Sequence, residues 1–171
     1  MLQVEFNDAG AIAALTRISA HLSDMSPLME EIGRLLYVTT VDRFGAGIAP
    51  DGAPWAPKKE STLEAYRSRG HRMDVRPLFG PSLRLSRQIA RQADANSVTI
   101  GSTMEYAAVM QGGAAKGSLG SYSGVSKKGR AYSGGTPWGN IPARPFIGLS
   151  DNDRTNILDT VAEWLSDIAA Q

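Results

Sequence analysis

Helices towards both ends of the chain, with a strand between them, predict an α+β protein of 171 residues. Three observations carry that prediction. Apolar residues recur at spacings of three and four near both termini. They alternate over Ser97–Gly101, as in a half-buried strand that ends at a glycine. Over residues 112–139 both patterns stop, and nine of the chain's eighteen glycines fall there.

In chain order, Asn7 and Asp8 offer capping oxygens for a first helix with Ile12, Leu15, Ile18 and Leu22 on one face, although Gly10 weakens its first turn. Ser26 is expected to cap a second helix, with Pro27 at its first position and Glu30 and Glu31 near the positive end of its dipole. Leu28, Ile32, Leu35 and Leu36 form its stripe. From Pro27 to Phe44 it is about 27 Å long, enough to cross one face of a small sheet. The short Ser23–Ser26 link predicts that the two helices lie side by side. Gly45 to Pro57, with three glycines and three prolines, can only be a turn-rich loop. A short helix is expected over Ser61–Arg69, ended by Gly70, and another over Pro81–Arg91 with Leu83, Leu85 and Ile89 apolar. Tyr106–Met110 is apolar and short, and periodicity does not separate helix from strand there. Ser150 followed by Asp153 opens a last helix whose apolar face is Ile157, Val161, Trp164, Leu165 and Ile168.

A chain of this length buries about two thirds of its unfolded surface, and residues 1–171 are read as one domain. Residues 112–139 contain no acid and few apolar anchors, so they are expected to be a flexible, basic Gly/Ser-rich insertion within that domain. The absence of cysteine removes disulfides, thiolate nucleophiles and sulfur-bound zinc, and fits a reducing compartment. Glu5, Asp8 and Gly10 interrupt the start, so no signal peptide is expected, and no stretch approaches the ~20 apolar residues of a membrane helix. His21 and His71 sit in no metal-spaced pair, and no nucleophile elbow, P-loop or dinucleotide fingerprint is present. Asp51, between Pro50 and Gly52, is a turn residue first. No catalytic residue, cofactor or metal is therefore expected.

Charge is segregated. Residues 1–57 carry three basic and seven acidic side chains, residues 150–171 one and five, and residues 58–149 fourteen and five. The middle is thus a candidate face for an acidic partner, either nucleic acid or the acidic end of a neighbouring subunit.

Four motifs in order carry a family resemblance. The first is Arg43-Phe44, followed by Pro50-Asp51-Gly52 and Pro54-Trp55-Ala56-Pro57. The second is Leu78 and Gly80 with Leu83. The third is Thr99-Ile100-Gly101-Ser102, then Tyr106-Ala107 and Gln111-Gly112-Gly113. The fourth runs from Ile141 to Ser150 through Pro142-Ala143-Arg144-Pro145-Phe146. From about Leu28 onward the chain resembles the phage virion morphogenesis family, that of the Mu-like phage G protein and tail-completion protein S. Met110 stands before Gln111 where family members often have histidine or glutamate. The resemblance implies terminal helices packed on a small antiparallel sheet. It also implies a non-enzymatic virion protein, assembled in the host cytoplasm, that completes tails and joins them to heads. Its expected partners are further copies of itself in a ring of about six or twelve, neighbouring connector, stopper, terminator or tail-tube proteins, and packaged DNA.

The candidate assembly residues are Trp55, Lys58, Lys59, Tyr106, Lys127, Lys128, Arg130, Arg144 and Phe146. Pro142 and Pro145 fix φ on both sides of Ala143-Arg144, which makes a stiff, extended lead-in to Phe146. Phe146 is expected to be a buried anchor, and Arg144 to fork onto a carboxylate within or between subunits. Trp55 is either a plug over its own core or an interface hot spot. A rival reading makes Lys58, Lys59, Arg67, Arg69, Arg72 and Arg76, clustered near Tyr66, a nucleic-acid-binding surface.

Overall fold

The computed structural model describes residues 8–126, 128–135 and 140–170. Among the described residues, six helices and two separate two-stranded antiparallel sheets give the expected α+β class. The chain divides into two compact units, one of Met1–Thr39, Ala90–Gly101 and Leu149–Gln171, the other of Thr40–Ile89 and Ser102–Gly148.

The first unit contains α1 (Ala9–Leu22), most of α2 (Ser26–Ala46), most of the hairpin formed by β1 (Ile89–Ala93) and β2 (Val98–Ser102), and α6 (Asp151–Ala170). Asp24 rather than Ser26 caps α2. Its Oδ1 accepts from the Ser26 amide at 2.9 Å and hydroxyl at 2.6 Å, and these bonds hold its carboxyl below the ordinary value. Asp8 stands at the start of α1 without a side-chain cap bond, and Asn7 lies outside the described residues. The packing partner of α1 is α6 and not, as the short link suggests, α2. Where the two helices meet, α6 has no basic residue in its last turn, and Arg17 of α1 supplies one. Its guanidinium donates to the carbonyls of Ile168 at 3.4 Å and Ala169 at 3.2 Å, and His21 meets Trp164 edge-on at 6.3 Å.

On α2, Leu28 and Ile32 are buried, and Arg91 from β1 donates to the Glu30 carbonyl at 3.1 Å and carboxylate at 2.6 Å. Burying each such apolar side chain contributes roughly 1.5–3 kcal/mol. Asp94 closes the β1–β2 turn by accepting from the amides of Asn96 and Ser97 at 3.0 and 2.9 Å. The capping pair of α6 is reciprocal. Asp153 accepts from the Ser150 amide and hydroxyl at 2.8 and 2.7 Å, and the Ser150 hydroxyl accepts from the Asp153 amide at 3.1 Å.

The second unit begins at the end of α2, where Gly47 and Ile48 both donate to the Arg43 carbonyl. The expected loop is a tight reversal: Ile48 bridges Pro54, and Asp51 accepts from the Ala53 amide at 3.0 Å. Helix α3 (Glu60–Ser68) ends at Gly70, as expected. The longer helix expected over 81–91 does not form. Leu83 adopts a left-handed conformation (φ 55°), α4 (Arg84–Arg87) is one turn, and Ile89 already belongs to β1. Leu85, which breaks helical periodicity, is buried. The ambiguous stretch is helical, as α5 (Ala107–Gly112).

The Gly/Ser-rich insertion leaves and returns at one bridge, Ala114 to Ile141, with mutual amide–carbonyl bonds of 2.9 and 2.8 Å. Beyond it lies a hairpin that glycine content conceals, β3 (Ser121–Val125) paired with β4 (Ala131–Gly135). Here a glycine faces an aromatic: a Cβ on Gly124 would stand 2.6 Å from the Tyr132 hydroxyl oxygen, so the ring occupies the space a side chain would need. Trp138 and Lys127 lie outside the described residues.

Replacing Asp153 by Ala removes the two capping bonds its carboxylate accepts at a buried site. It should destabilise the chain by about 2 kcal/mol, and Ser150→Ala by about 1 kcal/mol, measured by denaturant unfolding.

Candidate functional site

Residues of the first, third and fourth motifs meet in the second unit, around the extended segment Arg144–Gly148. Two prolines keep this segment out of a helix, and Pro145 has no amide to donate. No strand pairs with it among the described residues. Side chains take the place of the missing strand. The Trp55 indole Nε1 donates to the Pro145 carbonyl at 2.7 Å. Arg43 donates to the carbonyls of Phe146 at 3.3 Å and Gly148 at 2.8 Å. The amide of Gln111 works in both directions. Its oxygen accepts from the amides of Phe146 at 2.9 Å and Ile147 at 3.1 Å, and its nitrogen donates to the Ile147 carbonyl at 2.7 Å. At the start of the segment the Arg144 amide donates to the Met110 carbonyl at 2.8 Å.

Aromatic rings close the same region. Phe44 is about 1% exposed and meets Trp55 at 5.6 Å, Phe79 at 6.3 Å and Phe146 at 5.3 Å between ring centres. Gly113 lets the chain pass. With φ 73° and backbone atoms of Ile141 and Ala143 only 2.7 Å from where its Cβ would be, another residue cannot sit there.

Arg144 is buried, and its fork falls on carbonyls rather than the expected carboxylate. Nε donates to Ala56 at 2.7 Å and Nη2 to Pro57 at 2.9 Å. Burial lowers its pKa from the ordinary arginine value. Lys58 behaves alike: its ammonium donates to the carbonyls of Asp74 and Phe79, lies 5.4 Å over the Tyr66 ring, and is pushed below its ordinary pKa by burial. Lys59 donates to the Asn140 carbonyl at 3.0 Å, beside the bridge that closes the insertion. Of the candidate assembly residues, the structure therefore gathers Trp55, Lys58, Arg144 and Phe146 into the unit's interior or its rim. Tyr106, Lys128 and Arg130 lie exposed, the last two in the β3–β4 turn. The bracing roles of Gln111 and Arg43 are the residues that sequence reasoning missed. Their signal is a proline-flanked apolar segment with no strand to pair it, which forces nearby donors to serve its backbone.

Among the described residues there is no group of three or more His, Asp or Glu that could hold a metal ion, and no helix long and apolar enough to cross a membrane. Fold and node together define a small α+β protein whose most constrained side chains hold its own backbone in place. The sequence model of the phage virion morphogenesis family matches residues 7–166, and the chain belongs to that family. Its role is accordingly a structural or assembly role in a phage virion. No curated protein and no solved structure matches it.

Gln111→Ala leaves two amides and a carbonyl unpaired and should cost about 2–4 kcal/mol. Phe146→Ala should cost about 3–5 kcal/mol. Being in contact, the two should fall short of additivity in a double-mutant cycle by more than about 0.5 kcal/mol.

Asp74 supplies a pH test. Hydrogen bonds from Arg76 hold its carboxyl down to about 2, against an ordinary value of 3.8. A lowered folded pKa stabilises fully above the ordinary value and is lost as pH falls through the folded one. Between about pH 4 and 2 the wild type should therefore lose stability that Asp74→Asn has already forfeited, so the gap between their denaturant midpoints should narrow across that window.

Proposed function

We propose that this virion protein is a neck or tail-completion subunit of a tailed phage. In this reading it forms a homo-oligomeric ring of about six or twelve copies that finishes the tail end and joins it to the filled head. Membership of the virion morphogenesis family is the observation that carries the reading. The braced node suits it, because a ring under mechanical load needs subunits whose loops are held by many directional bonds. The insertion suits it too. A two-stranded arm rooted at the Ala114–Ile141 bridge presents Lys128 and Arg130 away from that root, where a neighbouring ring or tail tube can take hold.

The test is negative-stain electron microscopy with light scattering, on the purified chain alone and mixed with its phage's tail tubes. Rings, or caps on tube ends, are expected. A persistent monomer that ignores both tubes and filled heads would overturn the assignment.

A second reading, nucleic-acid binding, has its own observation: Arg67, Arg69 and Arg72 are exposed, and no carboxylate neutralises them among the described residues. A DNA titration separates the two. A binder should lose affinity steeply as salt rises, and binding no stronger than a neutral control's would remove this reading.

A further inference from the structure

The fold leaves two opposite charges unspent, one in each unit. On α6 the apolar stripe faces inward, and the opposite side carries Asp159, Glu163 and Asp167 at i, i+4 and i+8, all exposed. These three carboxylates stand about 6 Å apart along one line. They have no ion-pair partner among the described residues, and Arg154 is the one base on the helix. Their position is electrostatically poor for folding. Glu163 and Asp167 approach the helix C-terminus, where the dipole is already negative, and like charges at i, i+4 repel. Arg17 relieves the terminal carbonyls but does not reach the carboxylates.

The other unit has the complement. Between Arg67 and Arg87 stand six arginines and one aspartate, and Asp74 is already taken by Arg76. Arg67, Arg69 and Arg72, at the end of α3 and in the loop after it, are exposed and unpaired among the described residues. The loop is held from beneath: Lys58 binds the carbonyls of Asp74 and Phe79, and the His71 amide donates to the Tyr66 carbonyl at 2.9 Å. That gives forked donors on a braced base, the geometry that suits carboxylates best.

We propose that the arginine face of one copy, Arg67, Arg69 and Arg72, docks on the carboxylate face of α6, Asp159, Glu163 and Asp167, of a second copy. This rests on the oligomeric reading above and names its contact surface. Because the two faces differ, the contact is head-to-tail and repeats from copy to copy, closing into a ring where the rotation allows. A second copy is favoured over DNA because one chain supplies exposed, unpaired side chains of both signs, three of each.

The experiment is a charge exchange in the full chain, read by analytical ultracentrifugation. Variant one carries Asp159→Lys, Glu163→Lys and Asp167→Lys. Variant two carries Arg67→Glu, Arg69→Glu and Arg72→Glu. Each alone should stay monomeric, since both of its faces then have one sign. The equimolar mixture should assemble, because every contact between unlike variants is again acid against base. Wild-type association should also weaken by about tenfold or more between low and high salt, a readout that needs no variant. Either variant assembling alone as the wild type does, or salt-indifferent wild-type assembly, would overturn the docking while leaving a ring in place. So would loss of DNA binding in variant two with assembly unchanged, which would assign the arginines to a polyanion. A wild type that stays monomeric at low salt yet caps tail tubes would overturn the docking and leave the virion role standing.

Discussion

The second unit depends on one constraint: the polar backbone of Arg144–Gly148, with Arg144 and Phe146 buried, lies beside an aromatic core with no strand among the described residues to pair it. An unsatisfied buried amide or carbonyl costs about 1–3 kcal/mol. This segment places several of them within five residues, so the fold stands only if side chains serve them. Trp55, Arg43 and Gln111 do so from three separate elements. Three distant parts of the chain are thereby fixed to one another: the end of α2, the Pro54–Pro57 turn and the end of α5. A strand pairing would have fixed only two.

The same requirement explains why these side chains are of these kinds. Gln111 accepts two bonds on its oxygen and donates one from its nitrogen, and an amide does this without charge from two separate atoms. Arg43 reaches two carbonyls two residues apart from a single nitrogen, Nη1, whose two hydrogens suffice for both. Trp55 must fill space against Phe44 while offering a single N–H. These residues belong to the motifs that carry the family resemblance, so the resemblance is largely a record of how the backbone is held.

The helices and the second strand were legible in the sequence because their stabilisation is local or periodic. The Ser150–Asp153 pair, the stripe of α6, the α3 stop at Gly70 and the alternation of β2 can be read within a few residues. What the sequence concealed is non-local. Nothing near Pro81 says that Ile89 will leave a helix to pair with β2, and nothing near Ser23 says that α1 will pack on α6. The β3–β4 hairpin was hidden by composition, since glycine lowers strand propensity unless a partner such as Tyr132 covers it. The node was visible as motifs, and Phe146 as an anchor. The expected carboxylate partner for Arg144 was wrong in kind, because pairing rules for side chains do not anticipate carbonyls freed by a turn between prolines.

That last substitution has a consequence for the surface. Arg17, Lys58 and Arg144 donate to main-chain carbonyls, so their positive charges are held without consuming carboxylates for those bonds. In a chain of eighteen basic and seventeen acidic residues, cations held this way leave acids elsewhere without internal partners. The outer face of α6 is where such acids lie in a row, and Arg67, Arg69 and Arg72 are exposed cations with no ion-pair partner among the described residues. Interior bonding thus governs the charge that remains outside. In the docking proposed above, a subunit braced through carbonyls keeps these carboxylates for contacts that another copy completes.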